Sequence, residues 1–260
     1  MKNYIVKSIS ATVFTITLVV NYLSNSLPLN ERTPGEISDM YANLFAPAGL
    51  TFSIWGLIYF LLIGYVIHNF LCKEHNTEKI FNSINPLFIG TSIANTAWIF
   101  AWHYDFIGLS LVVMIMLLIL LIRIAKVINS KNFYSLDKLF IWLPFSIYFG
   151  WITVATIANV TVFLVSIGWD GFGIAEDIWT VLVLLISSVI GGYVSVRDKN
   201  YAYALVFSWA YLGIFIKHAS DDGFDLQYLN ILTTSLILIL VFLYIATYTF
   251  RLKEYKKTSG

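Results

Sequence analysis

Rings and carboxamides, rather than acids and nucleophiles, are the groups that could do chemistry inside the apolar segments of this sequence. Trp55 and Tyr59 are spaced i, i+4; Asn95, Trp98 and Trp102 are spaced i, i+3, i+7; Tyr148, Trp151, Ala155 and Asn159 are spaced i, i+3, i+7, i+11. Residues at such offsets share one face of a helix. A carboxamide turned toward lipid costs free energy, so Asn95 and Asn159 are expected to point into a bundle. Flat aromatic walls with a few hydrogen-bonding handles suit a flat, largely apolar ligand. The same spacing also serves plain core packing between helices, and both readings stand at this stage.

Reactive chemistry is sparse by comparison. The sequence has no phosphate-cradling glycine loop, no Gly-x-Ser-x-Gly elbow and no His-Glu-x-x-His run. Its apolar segments hold almost no Asp, Glu, Lys or Arg, which argues against a proton- or sodium-coupled carrier with midplane carboxylates. His68 falls near the end of one segment, Lys217 and His218 end another, and Arg123 and Lys126 are placed to snorkel to an interface. Lys217 has no evident buried counter-ion of the kind a Schiff base needs. His103 with Asp105, and His218 with Asp221 and Asp222, put imidazole near carboxylate, a pairing that can bind a divalent metal but also describes an ordinary solvated rim. The single cysteine, Cys72, excludes an intramolecular disulfide and a multi-cysteine metal site, and reads as a small interfacial residue. No metal site and no tightly bound cofactor is therefore assigned.

The elements that must carry these residues are membrane helices. Apolar residues make up 58% of the 260 and charged residues 12%, against roughly 25% charged in soluble domains. A soluble fold cannot hide that much apolar surface. Eight stretches approach the length of a span, about 20 residues: 9–27, 49–71, 87–102, 107–127, 140–167, 178–196, 201–216 and 228–250. The first follows Lys2 and Lys7 but lacks a small-x-small cleavage site, so it is read as a retained helix. With eight spans, 14 of the 16 Lys and Arg residues fall on one side; only Arg32 and Lys217 fall on the other. The positive-inside rule then puts both termini in the cytoplasm, at the cell membrane. The opposite face is acidic, with Glu31, Glu36, Asp39, Asp105, Asp170, Glu176, Asp177, Asp221, Asp222 and Asp225. It also holds the longest loop, 28–48, which is expected to act as a lid. Overlapping small residues Ser187, Ser188, Gly191 and Gly192 predict close helix packing, and the basic run Arg251, Lys253, Lys256 and Lys257 predicts contact with anionic lipid. A net charge of +1 gives no reason to expect nucleic acid.

The run Pro47-Ala-Gly49-Leu-Thr-Phe52-Ser-Ile-Trp55-Gly-Leu-Ile-Tyr59 resembles the loop-to-second-helix motif of the translocator-protein family (TspO, the tryptophan-rich sensory proteins, and the mitochondrial benzodiazepine receptor). Asn95 and Trp98 match that family's third-helix Asn-x-x-Trp, and Tyr148, Trp151 and Asn159 match its fifth-helix pattern. Phe52 and Trp55 stand one residue closer than is usual there, and Leu50 lies near the place of a second tryptophan. The resemblance covers about residues 8–167. It implies an all-α, polytopic bundle in which residues 1–167 form a five-helix TspO-like part, 168–251 add three helices, and 252–260 form a basic tail. It further implies an aromatic pocket for a tetrapyrrole, a porphyrin or haem-type ligand, or a sterol-like lipid, and a homodimer in contact with membrane lipids.

The expected ligand-binding residues are accordingly Trp55, Tyr59, Asn95, Trp98, Trp102, Tyr148, Trp151 and Asn159. Binding or sensing of a small lipophilic ligand is the leading function. Transport or flipping of a lipophilic solute is the second, and an intramembrane enzyme acting on a lipid, carotenoid or porphyrin is the third. No catalytic residue stands out for the last of these.

Overall fold

The computed structural model describes residues 2–26, 29–131, 133 and 135–258, and among these it is helical throughout, without strands. In chain order the helices are α1 (Lys2–Ser26), α2 (Pro34–Met40), α3 (Ile54–Leu71), α4 (His75–His103), α5 (Ile107–Asn129), the single turn α6 (Ser135–Asp137), α7 (Leu143–Ser166), α8 (Glu176–Arg197), α9 (Tyr201–Ala219) and α10 (Leu229–Thr258). Short 3₁₀ turns occupy Leu29–Glu31, Gly49–Ser53 and Gly171–Gly173. A π turn, Lys138–Trp142, joins α6 to α7, whose second residue is Pro144. A proline ring collides with the carbonyl four residues back and supplies no N–H, so a locally widened helix ahead of it relieves both problems.

Seven helices among the described residues are long and apolar enough to cross a membrane. The missing member of the expected eight is the third. Its helix, α4, starts at His75, well before the apolar stretch at 87, and continues through Pro86 for 29 residues. Length is no obstacle; polarity is. Thr77, Asn85, Thr91, Ser92, Asn95 and His103 all lie on α4 and all are buried. α4 packs along both α1 and α5, so its polar face meets protein instead of lipid. A hydropathy criterion built for lipid-facing helices undervalues such an inner helix.

The chain forms two compact units. The first comprises Met1–Ile37 and Ile54–Ile152, with α4 innermost. The second comprises Ser38–Ser53 and Thr153–Gly260, with α9 innermost, packed on α8, α10 and the Gly49–Ser53 turn. Small residues let α9 sit close to its neighbours. A Cβ at Gly213 would overlap the Thr51 side chain, and one at Gly191 of α8 would overlap the Phe207 ring. Gly191 and Ser187 thus provide the close packing expected of that small-residue run, while Ser188 faces outward.

The loop expected as a free lid is tied down. Thr33 and Glu36 form a capping box at the start of α2: the Thr33 N–H and hydroxyl donate to Glu36 Oε2 at 2.7 and 2.9 Å, and the Glu36 N–H donates back to Thr33 Oγ1 at 3.3 Å. Pro34 takes the first helical position, where a missing N–H costs nothing. The hydrogen bonds from Thr33 hold the Glu36 carboxyl below its ordinary pKa. In the second unit, the Ala48 N–H donates to Gly213 O at 3.0 Å and Trp209 Nε1 donates to Thr51 O at 2.9 Å.

Candidate functional site

Three helices of the first unit deliver the aromatic stripes to one place. α3 supplies Trp55 and Tyr59, α4 supplies Asn95, Trp98 and Trp102, and the first part of α7 supplies Tyr148 and Trp151. Trp55 is the hub. Its ring stacks on Tyr59 (centroids 5.3 Å, planes 20° apart) and on Trp98 (6.5 Å, 29°). It meets Tyr148 and Trp151 edge-on at 5.9 and 6.4 Å. Trp98 in turn stacks on Trp102 at 5.6 Å. Such offset and T-shaped pairs satisfy the ring quadrupoles and add to the gain from burying area. Trp98, Trp102, Tyr148 and Trp151 are buried, whereas Trp55 and Tyr59 are only partly so.

A polar chain runs beside these rings. Asn21 of α1 donates through Nδ2 to Asn95 Oδ1 at 3.2 Å, and Asn95 Nδ2 donates to Tyr148 Oη at 3.0 Å. The Tyr59 hydroxyl is buried near Asn95 and Asn21 yet makes no hydrogen bond of ordinary geometry. Buried hydroxyls without partners are uncommon and costly, so this one offers a ligand an unclaimed polar contact. Asn21 was not among the expected residues. An asparagine inside the apolar run 9–27 was a signal, but α1 carries no aromatic stripe to single it out.

The eighth expected residue is assigned to the other unit. Asn159 belongs to the second unit, on the part of α7 beyond Ile152, where it is buried and donates to Ala155 O at 2.9 Å. Its offset from Trp151 is helical, as expected, but the helix leaves the first unit between them.

The end of α4 is held by the first part of the long loop. Trp102 Nε1 donates to Pro34 O at 3.1 Å, Asn30 Nδ2 donates to His103 O at 2.9 Å, and Arg32 pairs with Asp105 at 3.2 Å. His103 is fully buried with Nδ1 on Ile99 O at 2.7 Å. In the second unit His218 is likewise fully buried, with Nε2 on Leu44 O at 2.9 Å, and Lys217 pairs with Asp39 at 3.1 Å. Each imidazole therefore spends a nitrogen on a backbone carbonyl, and the carboxylate contacts at these helix ends go to Arg32 and Lys217.

The second unit has open space of its own. A groove of about 730 Å³ is lined by Ile157, Val160, Leu164, Trp179, Val183 and Ile186, with residues 42–45 at its edge. Its lining is mainly apolar, and Trp169 and Trp179 meet beside it at 4.9 Å.

A model of the family of TSPO-like proteins matches residues 7–248. The chain belongs to that family. The match extends through α8, α9 and most of α10, beyond the residues 8–167 that carry the motif resemblance. No curated protein and no solved structure gives a match. This TSPO-like protein is thus an integral membrane protein whose aromatic motifs converge in its first unit.

Proposed function

We propose that this TSPO-like protein binds or senses a small lipophilic ligand, a tetrapyrrole or a sterol-like lipid, at the Trp55-centred cluster. The observation that carries the reading is the partly exposed Trp55–Tyr59 stack over a buried Tyr59 hydroxyl that lies near Asn95 and Asn21 without a well-formed hydrogen bond. A flat ligand sliding beside Trp55 exchanges ring–ring contact for ligand–ring contact and gives the hydroxyl an acceptor. Trp98, Trp102, Tyr148 and Trp151 then act as walls behind that pair, and Asn95 as the polar handle. Binding rather than catalysis fits a site made of rings, carboxamides and one phenol. Transport of the same ligand would need a flux measurement in reconstituted vesicles to establish.

Titrating protoporphyrin IX, haem and a sterol into the protein in nanodiscs, with tryptophan fluorescence as the readout, tests the reading. Saturable quenching is expected, weakened by Trp98→Phe and by Asn95→Ala. Tyr59→Phe should lower affinity about tenfold, or 1.4 kcal/mol, and lower thermal stability less than Asn95→Ala does. Unchanged affinity in all three variants removes the cluster as the site.

The same proposal includes eight spans, with α4 as the inner one, and cytoplasmic termini. Single cysteines introduced at Glu74 and Asp105, which flank α4, in a Cys72→Ser background should label from opposite sides of sealed vesicles. Labelling from one side would overturn that topology.

A further inference from the structure

The C-terminal end of α3 and the turn α6 bring together three groups that the aromatic cluster does not use. His68, Cys72 and Asp137 offer an imidazole nitrogen, a thiol sulfur and a carboxylate oxygen that all lie within 4.8 Å of one another. Their placement is built by the backbone. The Cys72 N–H donates to His68 O at 2.8 Å, so the helical turn persists past Leu71 and stacks the two side chains i, i+4 on one face. Asp137 arrives from the single turn that precedes the π turn.

The surroundings orient two of the donors. His68 is flanked by the rings of Phe81 at 5.6 Å and Phe140 at 5.5 Å. Its Nε2 lies 2.6 Å from Asp137 Oδ1, while Thr77 Oγ1 donates to the other carboxylate oxygen, Oδ2, at 2.8 Å. A ligating carboxylate oriented by a hydroxyl is the usual outer support of such sites. All three donors are only partly buried, so an ion can reach them.

We propose that His68, Cys72 and Asp137 form a binding site for a transition-metal ion of the zinc type. Nitrogen, sulfur and oxygen donors in one set favour Zn²⁺ over Mg²⁺ or Ca²⁺, which take oxygen alone. Donor atoms of a tetrahedral zinc site stand roughly 3.3–3.8 Å apart, given bond lengths of about 2.0–2.3 Å. The His68–Asp137 pair, 2.6 Å apart, must open by roughly 0.7 Å to admit the ion. Binding releases the thiol proton to solvent. Any proton shared by His68 Nε2 and Asp137 is also displaced, leaving neutral imidazole tautomerised to Nδ1–H. Thiolate, carboxylate and Zn²⁺ then sum to zero charge, which suits a position at the end of a membrane helix. Three protein donors leave a fourth position for water or a further ligand.

Cobalt titration of the full-length protein in nanodiscs provides the test, because Cys72 is the sole thiol. A thiolate-to-cobalt charge-transfer band is expected, displaced by Zn²⁺, absent in Cys72→Ser, and shifted to at least about tenfold higher Co²⁺ concentration in His68→Ala and Asp137→Asn. No band in the folded wild-type protein overturns the proposal. So does a band indifferent to both His68→Ala and Asp137→Asn, which would be a lone thiol binding cobalt adventitiously. Should the variants fold poorly, the wild-type protein alone decides: equimolar Zn²⁺ is expected to slow maleimide labelling of Cys72 at least about tenfold, and an unchanged rate overturns the site. Porphyrin binding at the Trp55 cluster is read separately, so either proposal can fail without the other.

Discussion

The inner helices of the two units solve one problem with different residues. α4 lines the first unit with Asn85, Ser92, Asn95, Trp98 and Trp102, whereas α9 lines the second with Ala202, Ala204, Ala210 and Gly213 between Tyr203, Phe207 and Tyr211. In the second unit the phenols of α9 are satisfied: Tyr203 Oη donates to Thr153 Oγ1 at 3.0 Å, and Tyr211 Oη shares a 2.8 Å hydrogen bond with Ser187 Oγ. Phe207 stacks flat on Phe242 at 5.0 Å. In the first unit a tryptophan cluster stands over a carboxamide chain and one unsatisfied phenol, Tyr59. The contrast teaches where adaptability resides. α9 gains stability through close approach and the paired phenols of Tyr203 and Tyr211, though its His218 Nδ1 stays unmatched, while the α3–α4–α7 cluster leaves a phenol, Tyr59, without a well-formed hydrogen bond.

The sharpest way to break this comparison is to spoil close approach in the second unit. Gly213→Val drives a side chain into Thr51 and is expected to cost about 3 kcal/mol, the upper end of overpacking. Folded yield and thermal midpoint should fall, while Gly56→Ala, where an added Cβ meets nothing within 4 Å, should leave both unchanged. Next in size is Asn95→Leu, which strips partners from Asn21 and Tyr148 at once. It should cost about 2 kcal/mol, against about 1 for Tyr211→Phe, which breaks one hydrogen bond. Equal losses would mean that the polar chain is no more connected than a single pair.

Ligand binding separates the two apolar regions. Trp55→Ala should weaken protoporphyrin affinity about tenfold, whereas Val183→Trp, which fills part of the groove in the second unit, should leave it unchanged. The opposite result, read by the same fluorescence titration, moves the ligand to the groove. The smallest expected effect concerns Glu36. Its folded pKa is depressed by the hydrogen bonds from Thr33, so its contribution is present above the unfolded glutamate pKa and is lost as pH falls through the folded value. Amide exchange near Thr33 should accelerate in that acidic window, and Glu36→Gln should flatten the dependence.

Some of this was legible in residue order. Trp55, Tyr59, Asn95, Trp98, Trp102, Tyr148 and Trp151 converge because i, i+3, i+4 spacing fixes a helix face whatever the helix packs against. Asn21 was hidden because a lone carboxamide on α1 has no period to mark it. Asn159 keeps its helical offset from Trp151, yet unit membership changes along α7, and periodicity is blind to that. The His68–Cys72–Asp137 group escaped for a related reason: its first two members are i, i+4, but Asp137 joins them only through folding.

The sequence by itself determined the solvent and the helices. An apolar content of 58% with 12% charge admits a bilayer, and a bilayer admits helices because their backbone hydrogen bonds close internally. Only the tertiary structure decided that α4 is a full-length inner helix despite its polar face, since burial between α1 and α5 depends on the neighbours. Tertiary structure alone also decided which polar groups find partners. Hydrogen bonds such as Asn21–Asn95 and Asn95–Tyr148, and the unmatched Tyr59 hydroxyl, are set by ångström-scale distances between helices that no linear spacing encodes.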